Sequence, residues 1–313
     1  MTPQEPATQR AGAPRTRARA AGSSAPHALA PAVLLAPTLV LLVLLLAAPG
    51  GYVGWLSFQK STYGQDATFV GLANYTRILT DPIFWRAFWN TFFVVNAVVY
   101  GELALGLALA VLMSGWVPGK KAVIAIILAP YAITETSGIV MWRYMLEPDV
   151  GMVTQWMLAA GLPQLDWNTR PFVTLSLVSL IGIWHHMPFT FLILYAALTT
   201  VPKDVLEAAE IDGATRWQRF RRVTLPMIMP AVMIAILFRY IFAIRMFSEV
   251  WLLTQGGPAR LSELLAIYLY RETFKYNDFG AAAATGWCML ALSLAIAVPY
   301  LRKMYADIGR GHG

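Results

Sequence analysis

Six apolar runs, each long enough to cross a bilayer, constrain this chain more than any other feature. They fall at Ala28 to Leu56, Ala87 to Met113, Ala122 to Leu146, Val173 to Leu198, Met227 to Leu253 and Ala281 to Tyr300. About 20 apolar residues in a helix cover the roughly 30 Å of hydrocarbon, and only a helix or a closed barrel satisfies its own backbone there. Core helices of a large soluble protein can be equally apolar. Six of them in 313 residues would leave almost no polar surface, since 58% of the residues are hydrophobic and only 13% charged. The runs predict an all-α polytopic membrane protein with six transmembrane helices.

The basic residues set its orientation. With the N-terminus in the cytoplasm, fourteen Lys and Arg lie on the cytoplasmic side and eight on the other, while Arg239 and Arg245 fall inside the fifth run. Positive-inside statistics then place both termini in the cytoplasm. The net charge of +7 is accounted for by short basic loops, which excludes the broad basic face that nucleic-acid binding needs. Residues 1–27, rich in Pro, Ala, Arg, Gly and Ser, predict a disordered basic tail, and residues 304–313 a second cytoplasmic tail. A small-residue cleavage site near Ala48 is followed by Pro49 and renewed apolar sequence, so the first run is expected to stay as a membrane helix. A lone cysteine, Cys288, excludes a disulfide framework within the chain.

Enzymatic motifs fail on inspection. The stretch GWVPGKK from Gly115 is one residue short of a phosphate loop and lacks the Ser or Thr after its lysine, so no nucleotide cofactor is expected on this chain. His185 and His186 are adjacent and point about 100° apart on a helix, so no metal site is assigned to them; a polar lining or a hydrogen bond between helices suits them better. No catalytic nucleophile and base stand out.

The stretch EAAEIDGATRWQRFRRVTLPMIMP, Glu207 to Pro230, interrupts the oily sequence between the fourth and fifth runs. Helix formers from Lys203 to Asp212 follow Pro202 and precede Gly213, which predicts a short helix and a turn. Ala208 and Ala209 keep that helix slim enough to enter a groove, and Glu207 and Asp212 offer carboxylates to a basic partner. Trp217, Phe220 and Val223 recur at helical spacing among arginines, the pattern of a helix lying against the inner membrane surface; Leu225 and Pro226 are expected then to turn the chain into the fifth run.

These residues resemble the EAA loop of binding-protein-dependent ABC importer permeases, and EAAEIDGA with Phe220, Leu225, Pro226 and Pro230 is similar to the carbohydrate, maltose-type branch. Two further segments carry the resemblance: FVGLANYTRILTDPIFWRAFWNT from Phe69, and LLTQGGPARLSELLAIYLYRETFKYNDFGAAAA from Leu252. Ser248 departs from the Asp or Asn common in such permeases, and Arg271 and Glu272 add charge where the family carries little.

The resemblance implies a type I ABC importer permease fold over residues 28–303, with a coupling loop at 199–230. It implies a transport subunit, not an enzyme, in the bacterial or archaeal cytoplasmic membrane. A second related permease, two cytoplasmic ATPase subunits that bind ATP and Mg, and an external sugar-binding protein are the implied partners, besides membrane lipid. Glu207, Ala208, Ala209, Asp212, Gly213, Leu225 and Pro226 would form the coupling site. A sugar pathway calls for aromatic faces and hydroxyl-binding groups, for which Tyr131, Glu135, Trp184, Arg239, Tyr240 and Phe247 are candidates, with Trp142 and Trp251 closer to interfacial positions. Glu102, Glu135, Arg239 and Arg245 could alternatively serve an ion-coupled secondary transporter. Counting residues from the cytoplasmic boundary places Arg239 level with both Glu135 and Glu102, so either it pairs with one of them or all three face the aqueous pathway and hydrogen-bond sugar or water, while Arg245 has Glu249 one helical turn away.

Overall fold

The computed structural model describes the backbone of residues 29–310 and the side chains of residues 34–302. The tail expected over 1–27 lies outside the described residues, as do the side chains beyond Arg302, where the backbone stays helical to Arg310.

The chain divides into two units, residues 1–52 and 53–313. In the first, the helix Leu29–Leu42 passes through a π-turn at Val43–Ala47 and continues across Pro49. Pro49 has no N–H to offer the carbonyl four residues back, and the backbone widens just before it. Its side chains from Leu34 to Tyr52 are exposed.

The second unit is a helical bundle. Its long spans are Pro82–Ser114, Pro171–Thr199, Arg216–Ala243 and Phe279–Arg302. Asp81 caps the first of these by accepting from the Ile83 amide at 2.8 Å, with Pro82 in the first turn where its missing N–H is harmless. The Pro171–Thr199 helix is the most buried and packs along Pro82–Ser114. Small residues allow the approach: a Cβ on Gly106 would lie 3.2 Å from the Phe191 nitrogen and from the Thr190 methyl.

Two expected spans differ from the structure. The third is two helices, Lys120–Ala132 and Glu135–Met145, meeting at 94°. Pro130 lies near the end of the first arm, and the β-branched pair Ile133 and Thr134 is extended, so the hydrogen-bond ladder stops there. The fifth starts at Arg216, not Met227, because the expected surface helix runs straight into it through a π-turn. Pro226 sits in the first α-helical turn, where its missing N–H does not break the helix. The span ends at Ala243, and the expected continuation to Leu253 is a separate helix, Ser248–Thr254.

At the end of the bundle away from the Glu207 loop, two of the three family-like segments close on each other. The Asn74 amide donates to the Ser57 and Gln59 carbonyls at 2.9 and 2.8 Å, and the Asn90 amide to the Leu261 and Glu263 carbonyls at 2.8 and 3.0 Å. Thr91 Oγ1 accepts from the Leu265 amide, and Tyr268 donates to Asp81, each within 2.9 Å. Arg77 binds both Glu272 and Asp278. Burial pushes the Glu272 carboxyl above its ordinary range, and Arg77 pulls it back. Glu272, one of the departures from the family pattern, thus belongs to this clasp.

Gly280 is where the clasp leaves no room. A Cβ there would stand 2.1 Å from the Gln59 carbonyl and 2.8 Å from Asn74 Nδ2. Gly280→Ala is expected to destabilise the chain by about 1–3 kcal/mol, as overpacking against backbone does, and to lower its melting temperature in detergent. Unchanged melting would mean that the clasp opens without cost.

Candidate functional site

A cavity of about 550 Å³ opens among the fifth span, the fourth span and the elbow of the bent third span. Tyr131 and Glu135 reach it from either side of the elbow, His185, His186 and Phe189 from the fourth span, and Arg239, Phe242 and Ala243 from the fifth. Arg245, Phe247, Ser248 and Glu249, from the loop and short helix that follow, complete the wall. Four of the six pathway candidates, Tyr131, Glu135, Arg239 and Phe247, therefore meet in one place. Trp184 and Tyr240 do not line it. Trp184 sets its edge against Trp142, and Tyr240 turns to the second span, where its hydroxyl donates to Asn96 at 2.7 Å.

The charges sort themselves by the break in the third helix. Arg239 pairs with Glu102, Nε to Oε2 at 2.5 Å and Nη2 to Oε1 at 2.7 Å, a two-pronged contact with both side chains buried. Thr190 adds a hydrogen bond to Glu102 at 3.3 Å, so the second, fourth and fifth spans share one polar junction. Glu135 opens the arm beyond the elbow and lines the same cavity as Arg239, with no ion pair between the two among the described residues. Arg245 does not sit one turn from Glu249, because the helix ends between them; its guanidinium lies over the Phe242 ring. Glu249 is instead 3.4 Å from His186. Among the described residues, Glu249 Oε2 and His185 Nδ1 are buried without a hydrogen-bond partner, which leaves the wall with unused polar capacity.

Sequence reasoning named the histidines as polar lining but missed Phe189, Phe242 and Met246, which in a run of apolar residues carry no signal of facing a cavity.

The Glu207 loop is a compact hairpin at the opposite end. Its helix Lys203–Ile211 leaves Glu207, Ala208 and Asp212 exposed, with Ala209 half-buried. Gly213 reverses the chain at φ 79°, a left-handed conformation that residues with a Cβ resist. Thr215 and Gln218 then cap the next helix reciprocally, and Arg219 pairs back to Glu210. From Arg216 the helix runs without a break to Ala243, through a π-turn at Phe220–Thr224 that places Leu225 and Pro226 at the start of the regular α-helical part. One rod joins the loop to Arg239.

This arrangement has close relatives. The family described as binding-protein-dependent transport system inner membrane component matches residues 28–301. The chain is 36% identical over 288 residues to the inner membrane ABC transporter permease protein YcjO of Escherichia coli (strain K12), covering 88% of this chain and 92% of that protein. It is 34% identical over 272 residues to the trehalose transport system permease protein SugA of Mycobacterium tuberculosis (strain H37Rv), covering 86% and 87%. Its fold is similar to that of a chain in the crystal structure of a bacterial alginate ABC transporter in complex with alginate pentasaccharide-bound periplasmic protein, with a TM-score of 0.76 at 22% identity, covering 86% and 91%. The chain belongs to the family of binding-protein-dependent transport system inner membrane components, the membrane-spanning permease subunits of ABC importers.

Proposed function

We propose that this chain forms half of the pathway of an ATP-driven sugar importer and is worked from the cytoplasm through the Glu207 loop. The permease body is residues 28–303, with both termini and the loop in the cytoplasm. A second related permease faces the cavity and completes it, and an external binding protein delivers the sugar. ATP and Mg reside in two cytoplasmic ATPase subunits. The observation that carries this reading is the unbroken helix from Arg216 to Ala243, which has the loop at one end and the cavity wall at the other. Arg239 lies 23 residues above Arg216, roughly 35 Å at about 1.5 Å per residue, and a tilt of the loop moves both.

Glu207, Ala208, Ala209, Asp212 and Gly213 dock into a groove of the ATPase, with Leu225 and Pro226 leading the movement into the membrane. Closure of the ATPase pair rocks the bundle between its two access states. Trehalose transport by a relative supports a sugar as cargo. The mixed wall suits one too: Tyr131, Phe189, Phe242 and Phe247 offer apolar faces, and Glu135, His186, Arg245 and Ser248 offer hydrogen bonds to hydroxyls. An ion-coupled carrier is disfavoured because Arg239 and Glu102 neutralise each other in a buried pair, which removes two members of any charge relay.

The purified chain alone is expected neither to bind nor to hydrolyse ATP, and sugar uptake in proteoliposomes is expected only when both permeases, the ATPases and the binding protein are present. Saturable ATP binding by the isolated chain, or uptake driven by an ion gradient without ATP, would overturn the proposal.

A further inference from the structure

A row of aromatic rings leads out of the cavity. Phe247, in the cavity wall, stacks on Trp251 with centroids 5.4 Å apart and planes 18° from parallel. Tyr270 touches both, at 5.2 Å from Phe247 and 4.7 Å from Trp251, and meets Phe274 at 5.0 Å. Two neighbouring pieces of backbone supply the row. Phe247 and Trp251 lie one turn apart at the helix Ser248–Thr254; Tyr270 and Phe274 lie one turn apart where Leu265–Tyr270 runs into the π-turn Arg271–Lys275.

Exposure is greatest at the outer end. Phe247, Trp251 and Tyr270 are half-buried, and Phe274 is 68% exposed. Phe274 packs against Tyr270 and is otherwise left largely uncovered by the described chain. Here one end is open to the surroundings and the other opens into a cavity.

We propose that Phe274, Tyr270, Trp251 and Phe247 form a track along which pyranose rings pass from the delivering protein to the cavity, an inference that rests on the sugar-importer reading. A pyranose carries its hydroxyls around the rim and presents C–H bonds on its faces, so it lies flat on an aromatic ring and keeps its hydroxyls in water. Successive rings here are spaced by about one hexose width, so a sugar meets the next ring before it leaves the last. Each contact is weak and the series is continuous, the condition for entry without trapping. At the inner end, Ser248 and Glu249 stand beside Phe247 to take over the hydroxyls. The track selects pyranosides over acyclic polyols, which have no flat C–H face.

The test is uptake by the complete transporter in proteoliposomes, with radiolabelled trehalose, maltose and cellobiose as pyranosides and sorbitol as the acyclic control. Wild type should transport at least one pyranoside and not sorbitol. Phe274→Leu and Tyr270→Leu, which keep the site apolar, should each lower the maximal rate about tenfold, equivalent to 1.4 kcal/mol on the barrier. The half-saturating concentration, set by the binding protein, should stay unchanged while ATP spent per sugar rises. Phe274→Tyr and Tyr270→Phe should keep the wild-type rate. Because Phe274 is exposed, its leucine variant does not put folding at stake. Leucine variants as fast as the aromatic ones would overturn the track and leave the importer reading standing; a wild type that transports no pyranoside would overturn both.

Discussion

Arg239→Glu is expected to abolish uptake. The substitution sets two carboxylates against each other where Arg239 and Glu102 now make two short hydrogen bonds with almost no exposure. Removing one partner of a buried ion pair costs about 3–5 kcal/mol, since the remaining charge has neither water nor partner, and replacing it with a like charge adds repulsion. The bundle is also deprived of the junction that joins its second, fourth and fifth spans. The double variant Arg239→Glu/Glu102→Arg restores opposite charges in the same place and should recover part of the uptake and the yield of folded protein. Arg239→Glu/Glu135→Arg should recover none, because the arginine's two hydrogen bonds go to Glu102, which the exchange leaves facing a like charge. Uptake and size-exclusion profiles of the three variants decide the matter: rescue by the Glu135 exchange and not by the Glu102 exchange would show that the working partner is different.

The second large effect lies in the Glu207 loop. Glu207→Lys puts a cation on an exposed face proposed to meet a basic groove, and it should stop uptake while the chain remains inserted and folded. Gly213 requires a more careful experiment. Its left-handed backbone makes any β-branched residue costly, by about 1–3 kcal/mol, whether or not anything docks there. No atom lies within 4 Å of the position a Cβ would take, so the strain is in the backbone and not in packing. Gly213→Asn, which tolerates that backbone, should keep much of the uptake; Gly213→Val should lose it through the turn. Gly213→Trp combines strain with bulk, so it tests docking only beside the valine variant. Full uptake in both Glu207→Lys and Gly213→Trp would remove the loop from the coupling path.

The clasp explains why the Phe69 and Leu252 segments carry the family pattern. Asn74, Asp81, Asn90 and Thr91 each satisfy a backbone group or a tyrosine of the facing segment or its neighbours, and Gly280 admits the Asn74 side chain. Side chains that hydrogen-bond backbone tolerate few replacements, because any other residue leaves a buried polar group unsatisfied. Such a segment is recognisable in sequence long before its partner is known.

Membrane character, four of the long spans and the hairpin at Glu207 were set by the sequence, because each depends on local chemistry: apolar length, prolines at helix starts, and small and charged residues around a glycine turn. The ion pair, the elbow and the cavity were decided by tertiary structure. Residue counting left Glu102 and Glu135 both within reach of Arg239. The packing gave the arginine to Glu102, while Glu135, beyond the 94° bend, lines the cavity without pairing with it. Depth in a membrane can be read along one helix. Which faces meet depends on where backbone hydrogen bonding breaks and how neighbouring helices pack, and neither is written in any single run of residues.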